Sequence, residues 1–143
     1  METLSLIQTA IFFAGLAQIV LVGGSLLIPG ILNWTNELAK VQILIKQMFW
    51  TYAAYILVIN LCFGLLSVFA LAELLNGSLM SMLVCGFIAM YWVSRVGVQF
   101  FYFDRSGFPT GIWHRVAEAV LIILFVFLSI VYSMACYYNY QQL

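Results

Sequence analysis

The sequence predicts an all-α membrane protein, a four-transmembrane-helix antiparallel bundle with short connections. Three observations predict it. Hydrophobic residues make up 66% of the chain and charged residues 7%, with a mean hydropathy of +1.11. A water-soluble domain carries about a quarter charged residues, so a chain this poor in charge needs lipid as its solvent. Four apolar runs are each long enough to cross a bilayer, at about 20 residues per helix. Turn-forming residues interrupt the chain between them. At 143 residues it forms one integral membrane domain.

The first span is expected over about residues 4–32. It opens Met1-Glu2 rather than on basic residues, and its apolar region exceeds a signal peptide's, so it is expected to stay in the mature protein. It ends at Pro29 and Gly30 in "PGILNWTNELAK". The stretch "TNELAKVQILIKQMF" places Leu38, Val41, Leu44, Ile45 and Met48 at helical spacing. It is expected as a helical lead-in to the second span, with a short amphipathic helix lying in the interface as the alternative. The second span is expected over about 47–75 and ends at a turn-type Asn76-Gly77. The third covers about 79–102. "FDRSGFPTG" then turns the chain through Gly107, Pro109 and Gly111 into the fourth, about 113–138.

Basic residues set the expected direction. Lys40 and Lys46 lie in the first connection, and Arg105 and Arg115 flank the third; the second connection and both tails have none. Basic loops stay in the cytoplasm. Connections 33–46 and 103–112 are therefore expected to be cytoplasmic, with both termini outside, in a plasma membrane of the bacterial inner-membrane kind. Trp34, Phe49 and Trp50 at one boundary, and Phe100, Phe101, Tyr102 and Trp113 at the other, match aromatic belts at the headgroup level.

Polar side chains within the spans carry the functional information. Gln18 and Asn60 lie mid-way along spans one and two among small residues, including Ala14, Gly64 and Ser67. They are expected to form a polar clasp between the two helices, contributing about 0.6 to 2 kcal/mol. The segment Tyr91–Glu118 holds three of the five basic residues, two of the five acidic ones and the only histidine. Arg95 lies roughly two turns inside span three. A guanidinium at the bilayer centre costs about 2.5 kcal/mol or more, so it must snorkel or pair. Gln99 shares its helix face, and a hairpin of spans three and four is expected to bring Arg95 and Gln99 to His114 and Glu118. An Arg95–Glu118 bridge would lock that hairpin, with Asp104, Arg105 and Arg115 solvated at the surface.

Arg95, Gln99, Asp104, Arg105 and Arg115 are also the candidates for holding an anionic or polar headgroup, because arginine offers a planar fork of donors to phosphate or carboxylate. The favoured reading is a non-enzymatic accessory subunit or a binder of lipid or another hydrophobic molecule. The first alternative is an enzyme acting on a lipid or quinone, in which Arg95 and Gln99 bind, His114 is acid or base and Glu118 orients it. The second is a transporter or proton pathway running past Gln18 and Asn60. Expected partners are membrane lipids, with a membrane-protein partner or a second copy of the chain as further options.

Several chemistries are disfavoured. One histidine cannot supply a bis-histidine haem, and Cys62, Cys85 and Cys136 have neither CxxC spacing nor enough companions for a metal. They read as buried inert thiols, with a Cys85–Cys136 disulfide as the alternative. Zero net charge and the lack of a basic stripe argue against nucleic acid.

Overall fold

The computed structural model describes residues 1–104, 106 and 110–143; Arg105 lies outside them. The described residues are helical, without a strand. Four long helices dominate: α1 (Glu2–Ser25), α4 (Ile43–Phe69), α6 (Leu79–Phe101) and α7 (Ile112–Gln142). Each is long and apolar enough to cross a membrane. Single turns α2 (Ile28–Ile31), α3 (Trp34–Glu37) and α5 (Leu71–Leu74) fill the connections, with a 3-10 turn at Leu38–Lys40.

The segment expected to lead into the second span divides in two. Val41 and Gln42 are extended (ψ 152° and 143°), which separates α3 and the 3-10 turn from α4. The residues from Ile43 onward join α4, as the lead-in requires. Trp34 holds α3 against the start of α4, with its ring 4.8 Å from Phe49 and 5.7 Å from Trp50, both edge-on. Such pairs add about 0.5–1.5 kcal/mol beyond area burial. Helix α4 stops at Phe69, where Ala70 leaves helical geometry (φ −117°, ψ 35°). The chain then makes the single turn of α5 and a left-handed Gly77 (φ +70°). A glycine is needed there twice over, since an added Cβ would also fall 2.7 Å from Gln142 Cβ. Ser78 and Ser81 form a reciprocal capping box that starts α6.

Helices α1 and α4 pack through glycines. A Cβ on Gly15 would lie 2.8 Å from Ser67 Cβ and 3.0 Å from the Gly64 carbonyl oxygen. A Cβ on Gly64 would lie 2.9 Å from Ile19 and 3.1 Å from the Gly15 carbonyl oxygen. The two backbones meet because neither residue has a side chain, which is how apolar helices associate without a hydrophobic driving force between them. Helix α7 contacts both α6 and α1.

The core is one-sided along the helices. Ile7, Ile11, Ala14 and Val22 of α1 are buried, as are Phe63 of α4, Ile88 and Trp92 of α6, and Leu128 and Tyr132 of α7. Burial ends at Val22, Asn60, Trp92 and Phe125. Beyond these, no residue of 23–31, 43–59, 93–101 or 112–124 is buried. That half of the helical surface is open and mostly apolar, with Arg95, Gln99 and Glu118 among its polar residues.

Candidate functional site

Two groups of polar side chains flank this boundary. The first lies in the core and draws one residue from each long helix. Tyr132 of α7 bonds through its hydroxyl to Ser67 of α4. Gln18 of α1 donates from Nε2 to the same Tyr132 oxygen (2.5 Å) and to the Ala14 carbonyl (3.2 Å). Trp92 of α6 donates from Nε1 to Gln18 Oε1 (3.3 Å). All four residues are completely buried. With water excluded, each polar atom needs a partner inside the fold, and here each donor finds one.

The expected Gln18–Asn60 clasp therefore takes another form. The two residues make no hydrogen bond to each other, and Gln18 is held by Tyr132 and Trp92 instead. Sequence reasoning missed both aromatic partners. The available signal was their position: tryptophan and tyrosine favour membrane boundaries, so one in mid-span needs a partner for its polar tip.

The second group lies at the end of the core that faces the 102–111 connection. Arg95 is half-buried, with its guanidinium carbon 5.5 Å from the centre of the Phe125 ring, within cation–π range. Its Nε is buried and has no hydrogen-bond partner. The expected Arg95–Glu118 bridge is not formed among the described residues. Helical register explains why. Arg95 stands level with Phe125, seven residues past Glu118 along α7, or about 10 Å at 1.5 Å per residue. Gln99, one turn further along α6, reaches Glu118 instead, donating from Nε2 to Oε1 at 3.4 Å. His114 and Arg115 are exposed in the first turn of α7, and His114 has no hydrogen bond to Arg95 or Gln99 among the described residues. The structure thus joins Gln99 to Glu118 and leaves Arg95 and His114 outside that pair.

Asp104 is exposed and folds back on its own turn. It accepts from the Ser106 backbone N–H (2.9 Å) and hydroxyl (2.8 Å). These bonds, the backbone one first, hold its carboxyl below the usual carboxylate range despite a small opposing effect of burial. This is local turn chemistry. Arg105, the remaining headgroup candidate, lies outside the described residues.

Asn60 is buried, and its Oδ1 has no hydrogen-bond partner. At the opposite end of the core, Asn139 is completely buried. It donates to the Leu74 carbonyl (2.8 Å) and accepts from Gly77 N–H (3.0 Å). Cys85 donates to the same carbonyl (3.4 Å). All three cysteines are free thiols: Cys85 is buried, Cys136 half-buried and Cys62 exposed. The Cys85–Cys136 disulfide is absent, and Cys62 departs from the expected burial because it sits on the outward face of α4, opposite the buried face of Asn60, Phe63 and Gly64. No group of three or more His, Cys, Asp or Glu side chains could hold a metal ion among the described residues.

Comparison with known protein families, curated proteins and solved structures finds no match for this chain.

Proposed function

We propose that this chain is a non-enzymatic integral membrane protein, an antiparallel four-helix bundle that binds an anionic amphiphile, such as an acidic lipid, through Arg95. The connections at 33–46 and 103–112 face the cytoplasm. The observation that carries the reading is the state of Arg95. A half-buried guanidinium has one face covered by Phe125 and a buried Nε without a partner. Leaving such a donor unmatched costs about 1–3 kcal/mol, a cost that an anionic headgroup would offset with a charge-assisted bond. The open apolar surface beyond Phe125 and Trp92 gives acyl chains a place to lie. An enzyme reading draws less support, because His114 stands exposed and apart from Arg95.

Native mass spectrometry of the protein released from nanodiscs tests this. Nanodiscs of mixed anionic and zwitterionic phospholipid should yield a complex retaining the anionic lipid, and Arg95→Gln should lose that retention while still assembling. Equal retention of both lipid types by the wild-type protein would overturn the reading.

A further inference from the structure

The described residues contain three buried side-chain polar atoms without a hydrogen-bond partner: Asn60 Oδ1, the Tyr91 hydroxyl and Arg95 Nε. They are neighbours. Tyr91 and Arg95 are four residues apart on α6 and share a face. Asn60 is three residues before Phe63 on α4 and shares its face, and Phe63 is the residue that packs on Tyr91. Phe63 packs edge-on against Tyr91 at 5.3 Å and Phe87 at 6.0 Å, so aromatic rings line the α4–α6 seam beside the three polar atoms. Buried side-chain polar atoms are matched in the large majority of cases. Three orphans close together, with Asn60 only 4% exposed, leave this edge of the core with unmet hydrogen-bonding capacity.

The three atoms have different needs. Arg95 Nε is a donor only, Asn60 Oδ1 an acceptor only, and the Tyr91 hydroxyl is either. An anion answers Arg95 alone; Asn60 Oδ1 requires a donor lying deeper in the seam. We infer that the seam between α4 and α6 forms a slot for an anionic amphiphile carrying a hydroxyl on its chain close to the charge, the anion meeting Arg95 and the hydroxyl bridging Tyr91 and Asn60. This rests on the headgroup role of Arg95 and adds the selectivity that Asn60 and Tyr91 impose.

The test compares tetradecanoate with β-hydroxytetradecanoate, each titrated into the full chain in detergent and followed by isothermal calorimetry. The hydroxylated probe should bind about tenfold more tightly, the ratio expected when one buried hydrogen bond is matched. Asn60→Leu should abolish the preference while keeping tetradecanoate affinity, and without ligand it should melt no lower than the wild-type protein, because an orphan acceptor is removed. Arg95→Gln should weaken both probes together. Should Asn60→Leu fail to assemble, Tyr91→Phe removes the same bridge with little change of shape and must also lose the preference. Equal binding of the two probes by the wild-type protein, or a preference that survives both Asn60→Leu and Tyr91→Phe, would overturn the slot and leave the headgroup reading standing. Binding of neither probe would overturn the slot, and it would overturn the headgroup reading as well if anionic phospholipid were also not retained.

Discussion

Tyr132 is the side chain through which the most distant parts of the fold are joined. Its hydroxyl serves Ser67 and Gln18 at once, so Tyr132→Phe leaves two buried polar groups short of a partner. The expected loss is about 1 to 2 kcal/mol, the upper range for interhelical hydrogen bonds in membranes. Ser129→Ala is the contrast, since Ser129 bonds only to the Phe125 carbonyl of its own helix and should cost much less. Thermal melts of both variants in one detergent check the pair; equal losses would mean that the Tyr132 contacts carry no interhelical weight. Asp104 supports a prediction about pH. Its carboxyl titrates below the ordinary range, so the contribution of the Ser106 bonds is complete above that range and disappears as pH falls through the lowered value. Carboxyl-carbon NMR should show Asp104 titrating below a typical aspartate. Ser106→Ala, which retains the backbone donor, should return it only part of the way. At this scale the sequence was partly legible. Gln18 and Asn60 stand out as polar residues in apolar runs, whereas Trp92 and Tyr132, whose polar tips are small parts of largely apolar rings, are not among the residues that the sequence singles out. Pairing Arg95 with Glu118 depended on the stagger of α6 against α7, which counting residues inward from each span end does not fix.

Helices α1 and α4 owe their close approach to Gly15 and Gly64, and this contact can be separated from glycine's general effect on helices. Gly64→Ala sets a Cβ 2.9 Å from Ile19 and 3.1 Å from a backbone oxygen. Because backbone cannot yield as a side-chain end does, about 1–3 kcal/mol should be lost. Gly23→Ala meets nothing within 4 Å and should be neutral or slightly stabilising, because alanine favours a helix. Melting temperatures that fell equally for both would place the effect in the helix backbone rather than the α1–α4 seam. The existence of the four long helices was legible because runs of apolar residues satisfy their own backbone bonds only as helices in a non-aqueous solvent. Their ends were less so. Helix α7 runs on through "YYNYQQ" to Gln142, past the expected end near Tyr138, and Asn139 finds its partner at Leu74, 65 residues earlier in the chain. Helix α4 breaks at Ala70 without a proline or glycine to announce it. The Asn139–Leu74 bond joins distant segments, which a local pattern does not carry.

For the molecule as a whole, the division into a packed half and an open half ties topology to the proposed function. Asn60, Trp92 and Phe125 close the core, and the residues beyond them lead toward the 33–46 and 103–112 connections, in or just beside which all the basic residues other than Arg95 lie. If retained basic loops set the direction of insertion, the open half borders the cytoplasmic leaflet and the Arg95 slot draws its ligand from there. The chain contains its own reporters for this orientation, because Lys40 and Lys46 are its only lysines and Lys40 is exposed. A membrane-impermeant amine reagent applied to intact cells should leave Lys40 unmodified, and the same reagent applied to inverted vesicles should modify it, both read by peptide mass spectrometry. Modification of Lys40 in intact cells would place the first connection outside. The open half would then face the outer leaflet, and the lipid partner would have to be sought there.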